Sequence, residues 1–148
     1  MVLSLLGAGI QCLWAWLRDG WSSKKQGDPK GVCGPKSCTV VVCCHNESER
    51  VAPLHSALSG SVAQAQKAGL NVNVLAVNHG STDDTLRQLQ RVSNDDPTWS
   101  VIDVERSVPS KKEALAFGVG HAQGQVLLLT DADCSPVSQQ WVLDMVQG

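Results

Sequence analysis

The chain has 148 residues, enough for one ordinary domain with a real core, and 43% of them are hydrophobic. Its formal net charge of -2 leaves no basic footprint for nucleic acid. Six cysteines show neither a CxxC pair nor the even spread of a secreted disulfide framework, so the thiols read as reduced and mostly structural.

The amino end, "MVLSLLGAGIQCLWAWL", runs seventeen residues without a charge. As a helix it is roughly 25 Å long, a little short of a hydrocarbon core of about 30 Å. Trp14, Trp16 and Trp21 cluster at its end as interfacial aromatics do, and Arg18, Lys24, Lys25, Lys30 and Lys36 follow, which favours the cytoplasmic side. Residues 1–18 therefore read as a single membrane anchor and 19–37 as a polar linker rich in Gly, Pro and Lys. Residues 38–148 then form a domain held in the cytoplasm at the cell membrane. A signal peptide competes, but neither a basic n-region nor a small-residue cleavage site stands out. An interfacial helix is the third option.

From Cys38 strands and helices alternate. "CTVVVCC" is a β-branched run that predicts a first strand, on which the adjacent Cys43 and Cys44 point to opposite faces. A zinc site from Cys33, Cys38 and His45 is a weaker reading, because structural zinc takes four ligands in tighter spacing. Val51, Leu54, Leu58, Val62 and Ala65 then fall at helical spacing. "VNVLAV" predicts a second strand. Ser81 and Thr82 are helix-start residues, Asp83 and Asp84 suit a first turn, and Leu86, Leu89 and Val92 share a face. "WSVIDV" predicts a third strand. The next helix opens at Pro109 and Ser110, carries Leu115, Val119 and Ala122 on one side and stops at Gly124. "VLLLTD" is the fourth strand, and "SQQWVLDMV" starts another helix.

This order predicts an α/β fold, a mostly parallel sheet in three layers with helices on both faces. The loops at the strand ends should converge on one sheet edge, where ligands of such sheets bind. Two phosphate-loop look-alikes do not fit. "GVGHAQG" ends a helix instead of following a strand, and "GPKS" precedes the first strand.

The fourth strand is an unbroken apolar run that ends in Asp131 and Asp133. A carboxylate at the end of a buried strand needs a positive partner to offset its desolvation. A divalent cation held by Asp133, with Asp131 beside it, would answer that need and bridge diphosphate oxygens. The plainer alternative is that Asp131 caps the following turn and Asp133 is solvated. Lys111 and Lys112 lie on the same sheet edge and either contact a nucleotide or form a solvated face.

"VVVCCHNESE", "VNHGSTDDT" and "SKKEALAFGVGHAQGQVLLLTDADCSP" together resemble, in order and spacing, the donor half of family 2 glycosyltransferases of the GT-A fold. The likeness runs from about Cys38 to Met145 and is closest to the membrane-anchored bacterial type. It implies transfer of a sugar from a nucleotide diphosphate donor, commonly UDP-linked, to a glycan or lipid acceptor with inversion, assisted by Mg2+ or Mn2+. Carried over onto this chain, Cys43, Cys44, His45, Asn46 and Glu47 would line the base and ribose, and Lys111 would stand near the nucleotide. Asp131 and Asp133 would be the DxD pair, with Asp133 on the metal and Asp131 on the ribose or metal shell.

Two departures from the family pattern stand out. Asn78 and His79 occupy the place of an aspartate pair whose second member accepts a hydrogen bond from uracil; His79 can accept one only through a neutral ring nitrogen, and a loop histidine is more often solvated. The family's general base and its Q-x-x-R-W segment come later than Gly148, so the GT-A domain reads as incomplete at its carboxyl end. The alternative is a truncated, non-catalytic nucleotide-binding module. A nucleotidyltransferase fits less well, since "CCHNESER" is not the glycine- and basic-rich loop it needs after the first strand.

Overall fold

Strand β1 (Ser37–Cys44) is the centre of a sheet in which every pairing is parallel. The computed structural model describes residues 34–105, 110–136 and 138–147. The anchor expected over 1–18 and most of the linker expected over 19–37 lie outside them. Among the described residues no helix is long and apolar enough to cross a membrane.

The remaining elements follow in chain order: α1 (Ser48–Lys67), β2 (Asn71–His79), α2 (Thr85–Asp95), β3 (Trp99–Val104), α3 (Lys111–His121), β4 (Val126–Asp131) and α4 (Trp141–Gln147). The strand order is β3-β2-β1-β4. The chain steps outward from β1 to β3, then returns past β1 to lay β4 on its other side. Right-handed crossovers running in opposite directions along a sheet put their helices on opposite faces. The packing agrees: α1, α2 and α4 share one core with Val40, Val42 and Val74, whereas α3 covers the other face at Val41, Leu75 and Val77. This is the expected three-layer arrangement.

The predicted face of α1 is buried in full, with Val51, Leu54, Leu58, Val62 and Ala65 all in the core. Each leucine there contributes about 1.5–3 kcal/mol by leaving water. Helix α3 differs from its predicted face. Ala114, Phe117, Gly118 and Ala122 meet the sheet, while Leu115 and Val119 are only half-buried. The reason is close approach: a Cβ built on Gly118 would lie 2.4 Å from Val41 Cγ1. Small residues, more than large apolar ones, decide which side of this helix faces inward. Gly124 is explained the same way, since its Cβ would lie 2.4 Å from the Thr39 backbone nitrogen. Gly118 and Gly124 of "GVGHAQG" thus serve packing.

Helix α2 begins at Thr85, later than Ser81 and Thr82 suggest. Those two residues are drawn to Asn46 instead, and Asp83 satisfies the Thr85 N–H at 3.0 Å. The zinc reading fails on distance. Cys38 and His45 sit at opposite ends of β1, a span of roughly 20 Å at the rise of an extended strand. Cys38, Cys43, Cys44 and Cys134 are all free thiols. Burial pushes Cys38 and Cys44 up to about 12 and Cys43 to about 11, so these three stay protonated and inert at neutral pH.

Replacing Gly118 with Val should cost about 1–3 kcal/mol in urea unfolding, because Val41 is fully buried and cannot yield. Gly120 on the same helix has nothing within 4 Å of its Cβ position. There Gly120→Ala should raise stability by up to about 1 kcal/mol.

Candidate functional site

The order of strands reverses between β1 and β4, and a crevice opens where the loops after those two strands part. It holds a cleft of about 280 Å3. The end of β1 supplies Cys43, Cys44, His45 and Glu47; β2 supplies His79; α3 supplies Lys111 and Ala114; the end of β4 supplies Asp131, Ala132 and Asp133. Of the candidate site residues singled out in the sequence, Asn46, Asn78 and Lys112 do not line it.

The positive partner demanded by Asp131 is Lys111. Cys43 pairs with Asp131 in the sheet register, so both side chains face the side covered by α3. Ser110 caps that helix, its hydroxyl accepting from the Glu113 N–H at 3.4 Å, and this fixes where the first turn begins. Lys111 then reaches over the strand end, with Nζ 2.7 Å from Asp131 Oδ2. The hydrogen bond it donates to Asp131 holds the Lys111 ammonium above its ordinary pKa, against a smaller opposing effect of desolvation. Both partners stay open to solvent, so the pair adds at most about 1 kcal/mol to stability. Its importance is positional.

Asp133 is exposed in the turn beyond the strand, two residues from Asp131. One ligand atom from each of Asp131, Asp133 and Cys134 lies within 4.8 Å of the other two. Carboxylates gathered in this way suit a hard divalent cation, which takes oxygen ligands and fills its other positions from phosphate and water. The residues present therefore fit a metal. Cys134 was absent from the sequence-based site; the only signal for it was its place directly after the DxD pair.

His79 is not solvated. It is 2% exposed at the end of β2, and its ring accepts the Ser110 backbone N–H at 3.2 Å from Nδ1. The His79 carbonyl accepts from His45 Nδ1 at 2.8 Å, which requires the proton of His45 to sit on that nitrogen. Asn78 is buried as well, donating through Nδ2 to Asp103 Oδ1 at 2.7 Å. It shapes the sheet edge without reaching the cleft.

Asn46 has φ of 54°, a left-handed backbone that asparagine tolerates. Its side-chain oxygen accepts the Thr82 N–H at 2.8 Å, and its own N–H donates to Ser81 Oγ at 3.0 Å. Next to it the Glu47 N–H donates to Thr85 Oγ1 at 2.7 Å and the Ser48 N–H to Asp83 Oδ2 at 3.2 Å. Asn46 and Asp83 thus lock the loops after β1 and β2 together behind the cleft. Desolvation alone would raise the Asp83 carboxyl, but the hydrogen bonds from Thr85 and Ser48 outweigh it and hold the group at about 2.

The sequence profile described as Glycosyl transferase family 2 matches residues 39–148. This chain belongs to that family. No match is found among curated protein sequences. Among solved structures it is similar to the mannosyltransferase PcManGT from Pyrobaculum calidifontis, in complex with GDP-Man and Mn2+. That likeness has 23% identity and a TM-score of 0.61, and covers 91% of this chain and 40% of the other. S. aureus TarS 1-349 is similar at 18% identity and a TM-score of 0.63, over 75% of this chain and 31% of the other. Glucosyl-3-phosphoglycerate synthase from Mycobacterium tuberculosis, in complex with phosphoglyceric acid, is similar at 22% identity and a TM-score of 0.54, over 76% and 40%. These likenesses establish the GT-A fold for the family 2 domain, and the chain spans 40% or less of each of these three solved chains.

Asp83 titrates at about 2 in the folded chain against an ordinary 3.8, so its contribution to stability is complete above about 4 and is lost as pH falls through about 2. Urea unfolding of Asp83→Asn against the parent should show a constant gap at neutral pH that closes toward pH 2. A gap independent of pH would refute the assignment.

Proposed function

We propose that residues 38–148 are the donor-binding part of an inverting glycosyltransferase that moves a sugar from a nucleotide diphosphate, UDP first, to a glycan or lipid acceptor. The observation that carries this reading is the cleft at the strand-order reversal. There Asp131, Asp133 and Lys111 meet in a domain that matches the family from residue 39 onward.

Asp133 would hold Mg2+ or Mn2+, with Asp131 beside it, and the bound ion would neutralise the charge that grows on the departing diphosphate. The chain's own residues bind and orient. Lys111 lines the cleft beside Asp131 with its side chain largely exposed, and a lysine there attracts phosphate oxygens as a point charge. Cys43, Cys44, His45, Asn46 and Glu47 form the loop that would carry the base and ribose, made rigid by the Asn46 and Asp83 hydrogen bonds. His79 forms part of its wall. Because its ring accepts Ser110 N–H, it does not present the carboxylate acceptor that uracil meets in the family pattern. GDP therefore belongs beside UDP in any test of base preference.

A second reading is supported by the state of the carboxylates. Proton abstraction from an acceptor hydroxyl needs a free base within hydrogen-bond reach. Glu47 is paired with Arg50 at 2.9 Å and Asp131 with Lys111 at 2.7 Å. On this reading the chain by itself binds a nucleotide without turning over a sugar. For localisation we propose the membrane, through residues 1–18, with the α/β domain in the cytoplasm.

Calorimetry with UDP and with GDP should give heat that depends on Mn2+ and disappears in Asp133→Ala. No heat at all would leave the domain as a scaffold, and heat that neither needs Mn2+ nor changes in Asp133→Ala would remove the metal role of Asp133. In the same preparation, transfer or hydrolysis of a UDP-sugar at the buffer rate, with binding intact, would favour the non-catalytic module. Alkaline carbonate should leave the intact chain in the membrane pellet; release to the supernatant would remove the anchor.

A further inference from the structure

The face that α3 turns to the sheet carries small residues at helical spacing. Gly118 lies against Val41 and Val77, and Ala114 is buried in the same core. One turn earlier that face reaches Ser110, the residue that caps the helix. On β2, His79 stands two residues beyond Val77 and so points to the same side of the sheet. There the Ser110 backbone N–H meets the His79 ring, 3.2 Å from Nδ1 and 3.4 Å from Nε2.

A backbone N–H can only donate. The ring nitrogen that receives it therefore carries no proton, and the imidazole is neutral with its one acceptor committed to the start of α3. The ring is itself held fast: it is buried, its residue is paired with Val104 in the sheet register, and its own carbonyl accepts from His45 Nδ1. The residue after Ser110 is Lys111, which reaches the end of β4 and pairs with Asp131. The first turn of α3 is thus tethered to β2 through Ser110 and to β4 through Lys111. Of the two tethers the lysine pair is the exposed one, and an exposed pair is too weak to hold a long side chain in one place by itself. The buried tether is the histidine.

We infer that His79 is a positioning residue for phosphate binding: its neutral ring holds the Ser110 N–H and thereby sets Lys111 beside Asp131 in the cleft, where the ammonium meets the diphosphate of a nucleotide. The ring acts through the helix start and need not touch the ligand. The inference rests on the proposed function in taking Lys111 as the partner of the diphosphate.

The test uses the full chain at neutral pH and begins without ligand. Nitrogen-15 spectra of the parent should show one unprotonated His79 ring nitrogen coupled to the Ser110 N–H; a doubly protonated ring overturns the inference. Amide exchange at Ser110 should quicken about tenfold in His79→Leu, which keeps bulk and loses the acceptor, and should return most of the way in His79→Asn, whose Oδ1 stands in for Nδ1. An unchanged exchange rate in His79→Leu overturns it as well. With Mn2+ present, His79→Leu should weaken UDP about five- to tenfold and uridine less than about twofold, with His79→Asn recovering most of the loss. In a Lys111→Ala background the same change should add less than about twofold. Equal losses for UDP and uridine, or a full loss on top of Lys111→Ala, would mean that the histidine serves only the packing of the strand end, and would leave the donor reading intact. A parent that binds neither UDP nor uridine removes the donor reading and the inference with it.

Discussion

A parallel strand with a hydrogen-bonded neighbour on each side and helices on both faces can leave polar side chains open to a ligand only at its ends. Strand β1 is such a strand, and its interior from Cys38 to Val42 is fully buried. The register that pairs Cys43 with both Val77 and Asp131 draws the ends of three strands level. Chemistry is thereby confined to one edge of the sheet. The cleft follows from that alignment, because each side chain there lies at the end of a strand, in the loop directly after it, or in the first turn of a helix.

The second consequence is electrostatic. Asp131 continues an apolar strand yet stays open to solvent, and it is paired from the side covered by α3, which starts at a position from which Lys111 reaches the strand end. This leaves Asp133 unneutralised in the turn, next to a thiol. The two aspartates of one short motif are therefore not equivalent: one is tied to the protein and the other is available to a ligand. Asn46 and Asp83 do the complementary work on the opposite wall. They spend their side chains on backbone N–H groups, so the loops after β1 and β2 behave as one piece.

Much of this is legible in the residues. The run Val51, Leu54, Leu58, Val62 and Ala65 has only one helical face to bury, and it is buried. The four strands are β-branched or leucine-rich runs between turn residues, and each is found. Apolar size alone points to the wrong inward face of α3, because clearance decides it; Gly118 against Val41 is a contact between residues 77 positions apart, invisible to periodicity. His79 reads as a loop histidine, a setting more often solvated. Only the approach of Ser110 shows that its ring is enclosed.

The sequence by itself determined the element order, the sheet type and the aspartates at the end of β4, since these rest on local periodicity and on the cost of burying charge. The tertiary structure alone decided that β4 lies beside β1, that Lys111 is the partner of Asp131, and that Cys134 comes to 3.6 Å from Asp133. Strand neighbours and side-chain pairings depend on where crossovers land and how closely helices can approach, and those are set by packing between residues far apart in the chain.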